Sequence, residues 1–443
     1  MLKKLRVVAA VILALAMLNI YSWGVLKVGK GESIGFLTKP LQAFSEFPSQ
    51  ANEAVRFFIA PPRTYVLADS SFKELNNLTY NLYALGSFWN SDLGHWSFEL
   101  SNLKDESILF SWVVKRDNIT LNSERNIQSL RPFHSLLMEN KDLVLSFFES
   151  ENLMKLDSTS RVLWKNDEWK FHHSITKGIG NTIWVCGTKK TKFKIRENNA
   201  TISNFNKQNI NYRDDYIIKV DSENGNTLYS KSVSEILIEN GLKSLFYTGV
   251  NKTWDPIHLN DIEIALSTTA FWKKGDLFIS LRNLNLVVLY RPGTNRIIWY
   301  KQGPFLSQHD VDILDEHRIS IFNNNSLHDY IDVKKKNAST SVMDQLGYNE
   351  IIIYDFESDS VSQLYQNKMI ENELSTSTEG LMDLLPNGDM FFEEQNEGKV
   401  YVFNEHKVLL RKVFSTKFKG YIHLPNWTRI YTDETLSKLN IKN

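Results

Sequence analysis

Histidine is scarce in this chain of 443 residues, ten in all. Four of the ten stand at matching places in a repeated pattern: His134, His173 or its neighbour His172, His258 and His309. A single histidine at a strand start is most simply a hydrogen-bonded structural residue. Four in register are another matter, because a repeat that closes on itself brings equivalent positions together. Converging imidazoles suit proton transfer, nucleophilic attack or transition-metal binding. Arg282 belongs to the same set, and its fixed positive charge argues against a metal, so none is expected. Within the second unit two registers are open. Strand parity aligns Ile175 with Val311 and favours His173. Counting back from the turn aligns Gly180 with His317 and favours His172.

The elements that must position these residues are strands. Apolar residues alternate in short bursts between turn residues, and long amphipathic helices are scarce. Five units, opening at His134, His173, His258, His309 and Gly380, share one order of parts. A first strand leads to a turn, as at 178–181, 273–276 and 386–389. A second strand follows, and a third ends in Asp157, Asp221, Tyr290, Asp355 or Asn404. The fourth often ends in an aromatic residue, as at Trp164 and Trp299, most simply for packing. Four antiparallel strands per unit make a propeller blade. Residues 96–112 read as the second half of a further blade, and 417–431 as the source of its missing strands. The expectation is an all-β fold, a β-propeller of about six four-stranded blades over 71–435, closed by both termini so that no sheet edge is left open. A pair of β-sandwiches is the alternative. First strands face the channel of a propeller, so the four histidines should meet at one mouth. Polar insertions at 189–212 and 326–347 fall between second and third strands, either bordering that mouth or as solvated decoration. Asp310 and Asp312 are assigned to the turn and the solvent edge.

Four segments in order resemble one family. Gln308-His309-Asp310 followed by 319–324 is similar to the QH…(I/L)xxFDNG signature of the aryl sulfate sulfotransferases, which need no nucleotide sulfate donor. Trp254 to Asn260 resembles that family's WxHxN segment, Ile279 to Arg282 its (V/I)SSR strand, and Phe171-His172-His173 its HH segment. Asn323 stands where the family has Asp, Leu281 replaces the second Ser, and no counterpart of the N-terminal β-sandwich of large members is read. The resemblance implies a ping-pong transfer of a sulfuryl group from an aryl sulfate donor to a phenolic or other hydroxyl acceptor. His309 would be the nucleophile and carry the group as a sulfohistidine. Arg282 would hold the sulfuryl oxygens, and His258 with His173 or His172 would move protons. Asn260, Trp254, Gln308 and His134 are candidate substrate contacts, with Trp254 and Phe305 available to stack on an aryl group. A catalytically silent propeller that binds a glycan or a partner protein is the competing function. A scaffold would have no reason to keep His309, His258 and Arg282 together.

Other classes find little support. Lys+Arg and Asp+Glu balance at 51 each, so no broad polyanion-binding surface and no nucleic-acid partner is expected. There is no GxxxxGKS, GxGxxG or HExxH motif, and no cofactor is expected. The single Cys186 excludes an intrachain disulfide framework. At the N-terminus, residues 1–6 carry Lys3, Lys4 and Arg6 and read as a cytoplasmic flank. An uncharged run at 7–26 follows, long enough for a transmembrane signal anchor. A cleavable signal peptide is the rival reading. Residues 27–70 read as a linker with a short helix near 50–58. The expectation is a single-pass, membrane-anchored protein with its propeller on the periplasmic or other extracytoplasmic side. A reporter fused to the C-terminus should be active outside the cytoplasm, and the full-length chain should sediment with membranes. A mature N-terminus after Ala16 or Trp23 would refute the anchor.

Overall fold

The computed structural model describes residues 64–120, 127–189, 199–203, 209–250, 254–328 and 343–441, with scattered positions between 17 and 35. The expected anchor at 7–26 and most of the linker lie largely outside the described residues. Among the described residues no helix is long and apolar enough to cross a membrane. Residues Arg63–Asn443 form one unit and Met1–Pro62 another.

Alternating apolar positions and tight turns give six antiparallel blades, five of them four-stranded sheets and the sixth four strands within a seven-stranded sheet. Blade 2 is Pro132–Leu137, Leu143–Phe147, Leu153–Leu156 and Val162–Asn166. Blade 3 is Trp169–Lys177, Thr182–Lys189, Asp215–Asp221 and Thr227–Ser232, and blade 4 is Leu259–Ile264, Leu277–Leu281, Leu286–Arg291 and Arg296–Gln302. Blade 5 is Val311–Ile313, Arg318–Asn323, Glu350–Asp355 and Ser360–Leu364, and blade 6 is Leu381–Leu384, Met390–Glu394, Lys399–Phe403 and Val408–Ser415. Blade 1 draws on both ends of the unit. Its inner strand is Arg429–Tyr431, followed by Tyr83–Asn90, His95–Asn102 and Ile108–Val114. The C-terminal segment thus supplies one strand to blade 1, not two. Its other strand, Tyr421–His423, extends blade 6 and pairs in turn with Tyr65–Leu67. That strand starts ahead of the expected boundary at 71, and the helix Asp433–Lys438 runs past 435. Each insertion forms a hairpin between second and third strands, Asn199–Ser203 with Asn209–Arg213 and Ser326–His328 with Met343–Gln345.

Hydrogen bonds close the ring. An inner strand has one edge without a sheet neighbour, and its buried N–H groups need acceptors. The preceding blade supplies them as side chains. Ser174 Oγ accepts from Ile262, Asp261 Oδ2 from Val311, Asp310 Oδ2 from Met382, and Glu393 from Trp427 and Thr428. Blades 1 and 2 join through Tyr431 Oη and Leu137 N–H, and blades 2 and 3 through Ser150 O and Phe171 N–H. Between blades the sheets pack face to face, as where Ile217, Ile262, Ile279 and Val288 fill the gap between blades 3 and 4.

The channel side of the inner strands is acidic. Asp310 and Asp312 face it, not a solvent edge: burial raises both carboxyls well above the usual carboxylate range, and neighbouring acids add to the shift. Burial, with repulsion from Asp261, Asp310 and Asp383 and only partial relief from Arg429, pushes Glu263 up to about 8. A folded-state pKa raised this far means the native state holds a proton that the unfolded chain has lost. The stability it contributes is full below the ordinary glutamate range and is lost as pH rises to about 8. Glu263→Gln should therefore flatten the fall in stability between pH 5 and 8 and be the more stable form at pH 8, measured by urea unfolding at both pH values.

Candidate active site

Successive residues of a strand point to opposite faces, so clustering at one mouth requires a break in the strand. The structure places a left-handed residue there in five blades: His134 (φ 29°), His173 (φ 58°), His258 (φ 53°), Glu379 (φ 60°) and Trp427 (φ 54°). In blade 5, Ser307 (φ 53°) does so two residues before His309. Strand pairing slips at the same places, between Phe133 and Leu136, His172 and Ile175, and Leu259 and Asp261. These are β-bulges, which re-aim side chains at the cost of backbone strain.

His173, His258 and His309 come together as expected, with one ring nitrogen of each within 4.8 Å of the others. The ring centres of His173 and His258 are 5.1 Å apart, and those of His173 and His309 6.2 Å. His309 is held from three sides. Its Nδ1 lies 2.6 Å from Asn324 Oδ1 and 3.1 Å from Ser307 O. Asn324 Nδ2 donates to Thr376 O and Glu379 O, which fixes its oxygen toward the ring. Two oxygen acceptors at Nδ1 assign the proton to that nitrogen. The lone pair is then on Nε2, where it accepts the Glu379 N–H at 3.1 Å. Burial holds His309 well below the usual histidine range, and the Arg282 guanidinium pushes the same way. Arg282 is itself buried and donates to Asn283 Oδ1 at 2.9 Å. The three imidazoles are spaced to hold a metal ion, but the cationic Arg282 beside His309 opposes one.

The family model described as Arylsulfotransferase (ASST) matches residues 134–415, more than half of the chain. The chain belongs to the arylsulfotransferase (ASST) family. No curated protein matches the sequence. Solved structures with similar folds include a protein of unknown function from Bacteroides caccae, 10% identical, with TM-score 0.46 over 80% of this chain and 99% of that one. The Dos1 propeller is 10% identical, with TM-score 0.40 over 82% and 77%. A catalytically inactive virginiamycin B lyase from Staphylococcus aureus with quinupristin is 10% identical, with TM-score 0.38 over 80% and 90%. Likenesses this distant bear on neither substrate nor activity.

The arylsulfotransferase motif residues interlock. Asn260 Nδ2 donates to Gln308 O at 2.7 Å, and Gln308 Nε2 to Ser280 Oγ at 3.3 Å and Leu286 O at 3.2 Å. Asn260 and Gln308 thereby fix the backbone leading into His309. Both departures turn away from the histidine cluster. Asn323 Nδ2 donates to Glu350 Oε2 at 2.7 Å, where an aspartate would face a carboxylate, and Leu281 is packed in the core between blades 3 and 4. His134 lines the small cavity beneath the cluster but stands outside the group of three. Burial and Arg429 hold it well below the usual histidine range. Phe305 does not reach the mouth; it is buried between blades 4 and 5. Trp254 is half exposed, and its carbonyl accepts the Arg213 N–H. Among the described residues no ring contact joins Trp254 to the histidines. The aromatics that do touch the site are Phe148 and Trp427, with ring centres 5.2 Å and 5.8 Å from His173. The Arg131 guanidinium lies over both and is paired with Glu379.

Behind the histidines lies a charged layer that sequence reasoning missed. Asp255 Oδ2 is 2.7 Å from His258 Nδ1. Asp215 Oδ1 is 3.3 Å from His172 Nε2, and His172 Nδ1 is 2.8 Å from His173 Nδ1. The register question resolves with both residues in place: His173 faces the cavity and His172 is buried behind it. Arg213 joins the layer at 2.7 Å from Glu149, 3.2 Å from Asp215 and 3.9 Å from Asp255. Burial opposes ionisation of both aspartates, but Arg213 and their histidines hold the carboxyls below the usual range. The available signals were small: an Asp three residues before His258, and Arg213 and Asp215 at the start of a third strand just after an insertion. Arg213→Met leaves three carboxylates in the interior without their shared cation. It should lower stability by about 3–5 kcal/mol, read as a lower urea midpoint, and Arg213→Met combined with Asp215→Asn should recover part of that loss.

Proposed function

We propose that this arylsulfotransferase moves a sulfuryl group from an aryl sulfate to a phenolic or other hydroxyl acceptor through a sulfohistidine at His309, without a nucleotide donor. The observation that carries this reading is the state of His309: neutral, with Nδ1–H fixed by Asn324 and Ser307 and the lone pair on Nε2. In the first half-reaction that lone pair forms an N–S bond and gives up its weak contact with the Glu379 N–H. The S–O bond to the aryl group breaks, and its electron pair leaves on the phenolic oxygen. His258 would protonate that oxygen from Nε2, entering the step as the imidazolium with its Nδ1–H on the Asp255 carboxylate. In the second half-reaction an acceptor oxygen forms the new O–S bond and the N–S pair returns to His309. Arg282 offers directed donors to the sulfuryl oxygens as charge spreads over them. Burial, aided by the same guanidinium, keeps His309 neutral and therefore nucleophilic.

The reading places the reaction outside the cytoplasm, with the propeller tethered by the apolar segment at 7–26. Its substrates are then exported or external phenols and their sulfate esters.

Incubation with 4-nitrophenyl sulfate and no acceptor should add about 80 Da to the protein, the mass of one sulfuryl group held as a covalent intermediate. His309→Asn should abolish labelling and lower transfer by at least about 10⁴-fold. Arg282→Ala should lower kcat by about 10²–10³-fold with a smaller change in KM. Normal transfer by His309→Asn would refute the mechanism. A wild-type protein that takes no label from any aryl sulfate would leave the silent binding propeller as the better account.

A further inference from the structure

His172 and His173 are neighbours in one strand, so in regular geometry their rings would point to opposite faces. The left-handed backbone at His173 (φ 58°) turns them together, and their Nδ1 atoms lie 2.8 Å apart with the rings perpendicular. Two imidazole nitrogens at that distance share one proton; two lone pairs or two N–H groups would repel. The Asp215 end decides which nitrogen carries it. Asp215 is ionised, its Oδ2 accepts the Leu259 N–H at 2.9 Å, and its Oδ1 accepts from Arg213 Nε at 3.2 Å and faces His172 Nε2 at 3.3 Å. This last approach is longer and more oblique than an ideal hydrogen bond. An anionic oxygen at that distance still favours a proton on Nε2 over a lone pair. His172 therefore presents its Nδ1 lone pair to His173, and His173 carries its proton on Nδ1. The remaining nitrogen of His173, Nε2, then has the lone pair, and His173 lines the cavity together with His309.

Resting on the function proposed above, we infer that His172 is a positioning residue. With Asp215 and Arg213 it fixes the tautomer of His173 and makes His173 Nε2 the base that deprotonates the incoming acceptor. The step balances. The acceptor hydroxyl gives its proton to His173 Nε2, its oxygen forms the O–S bond, and the N–S electron pair returns to His309 Nε2. The positive charge formed on His173 is shared along Nδ1–H toward His172 and faces the Asp215 carboxylate. Asp255 serves His258 directly, whereas Asp215 serves His173 through an intervening ring. The two proton-transfer histidines thus divide the work: His258 meets the leaving oxygen and His173 the arriving one.

The test uses the full-length protein, 4-nitrophenyl sulfate as donor, and two phenolic acceptors in single-turnover reactions at pH 7. One acceptor is a weakly acidic phenol that keeps its proton at that pH; the other is a nitro-substituted phenol that is already ionised. In His172→Phe, transfer to the weakly acidic phenol should fall about a hundredfold, the range of general-base catalysis. Transfer to the ionised phenol should fall by much less, about threefold. His172→Gln should recover about tenfold, because its amide oxygen can accept the His173 Nδ1–H. Asp215→Asn should show the same dependence on acceptor acidity as His172→Phe, and it stands in if His172→Phe does not fold. Equal losses for the two acceptors, or no loss for either, would overturn the relay while leaving the sulfohistidine intact. A wild-type protein that takes no label would overturn both.

Discussion

Six inner strands meet at one axis, and each must expose an unpaired edge and aim its first side chains into a shared mouth. The left-handed residue at the start of five of these strands meets the second demand. It costs about 1–3 kcal/mol at each non-glycine position. The break lets His172 and His173 touch, brings His173, His258 and His309 together, and sets the Glu379 N–H on His309 Nε2. The first demand is met by the preceding blade, through side chains at five joints and through the Ser150 carbonyl between blades 2 and 3. Because Asp261 and Asp310 accept the N–H groups of the next inner strand, the wall of the cavity and the joints of the ring are built from the same residues.

Burial then sets the charge states on which chemistry depends. It keeps the imidazoles of His173 and His309 neutral, with Arg282 acting on His309 in the same direction. In the proposed mechanism a neutral imidazole is the nucleophile, and the same arginine meets the negative charge of the transferred group. Behind the cluster the order of effects is reversed. Burial would neutralise Asp215 and Asp255, but Arg213 and the histidines outweigh it, so both aspartates stay ionised. Along the channel wall Arg429 relieves Glu263 and Asp312 only in part, burial prevails, and the carboxyls of Glu263, Asp310 and Asp312 are raised. Acidic side chains are thus anionic behind the histidines, where Arg213 and the imidazoles outweigh burial, and inclined to hold a proton in the channel, where burial outweighs Arg429.

The family motifs are a hydrogen-bonded unit whose parts come from different blades. Asn260 holds the Gln308 carbonyl, Gln308 holds Ser280, and Asn324 holds His309. Asn260 and Gln308 give their amide N–H groups to backbone and neighbour contacts. The Asn323 side chain turns to Glu350 and not to the histidine.

The repeat was legible in the sequence because blade formation is a local matter. Period-two apolar alternation, turns such as 386–389 and the recurring third-strand ending follow from strand and turn geometry within about forty residues. Four histidines in register, together with Arg282, marked the mouth, since a closed ring places equivalent positions side by side. What the sequence left open was decided by contacts between residues far apart in the chain or turned by an unusual backbone angle. Strand parity favoured His173 and the count from the turn favoured His172, because both assume a regular strand and the strand is broken there. Composition could not reveal that Arg213 binds Glu149, Asp215 and Asp255, because those partners come from three separate segments. Phe305 read as a mouth aromatic and is core, while Phe148 and Trp427, which no motif marks, border the histidines. Local pattern specifies which residues form a blade; the twist at each inner strand and the burial that ring closure imposes specify which side chains meet and which of them are charged.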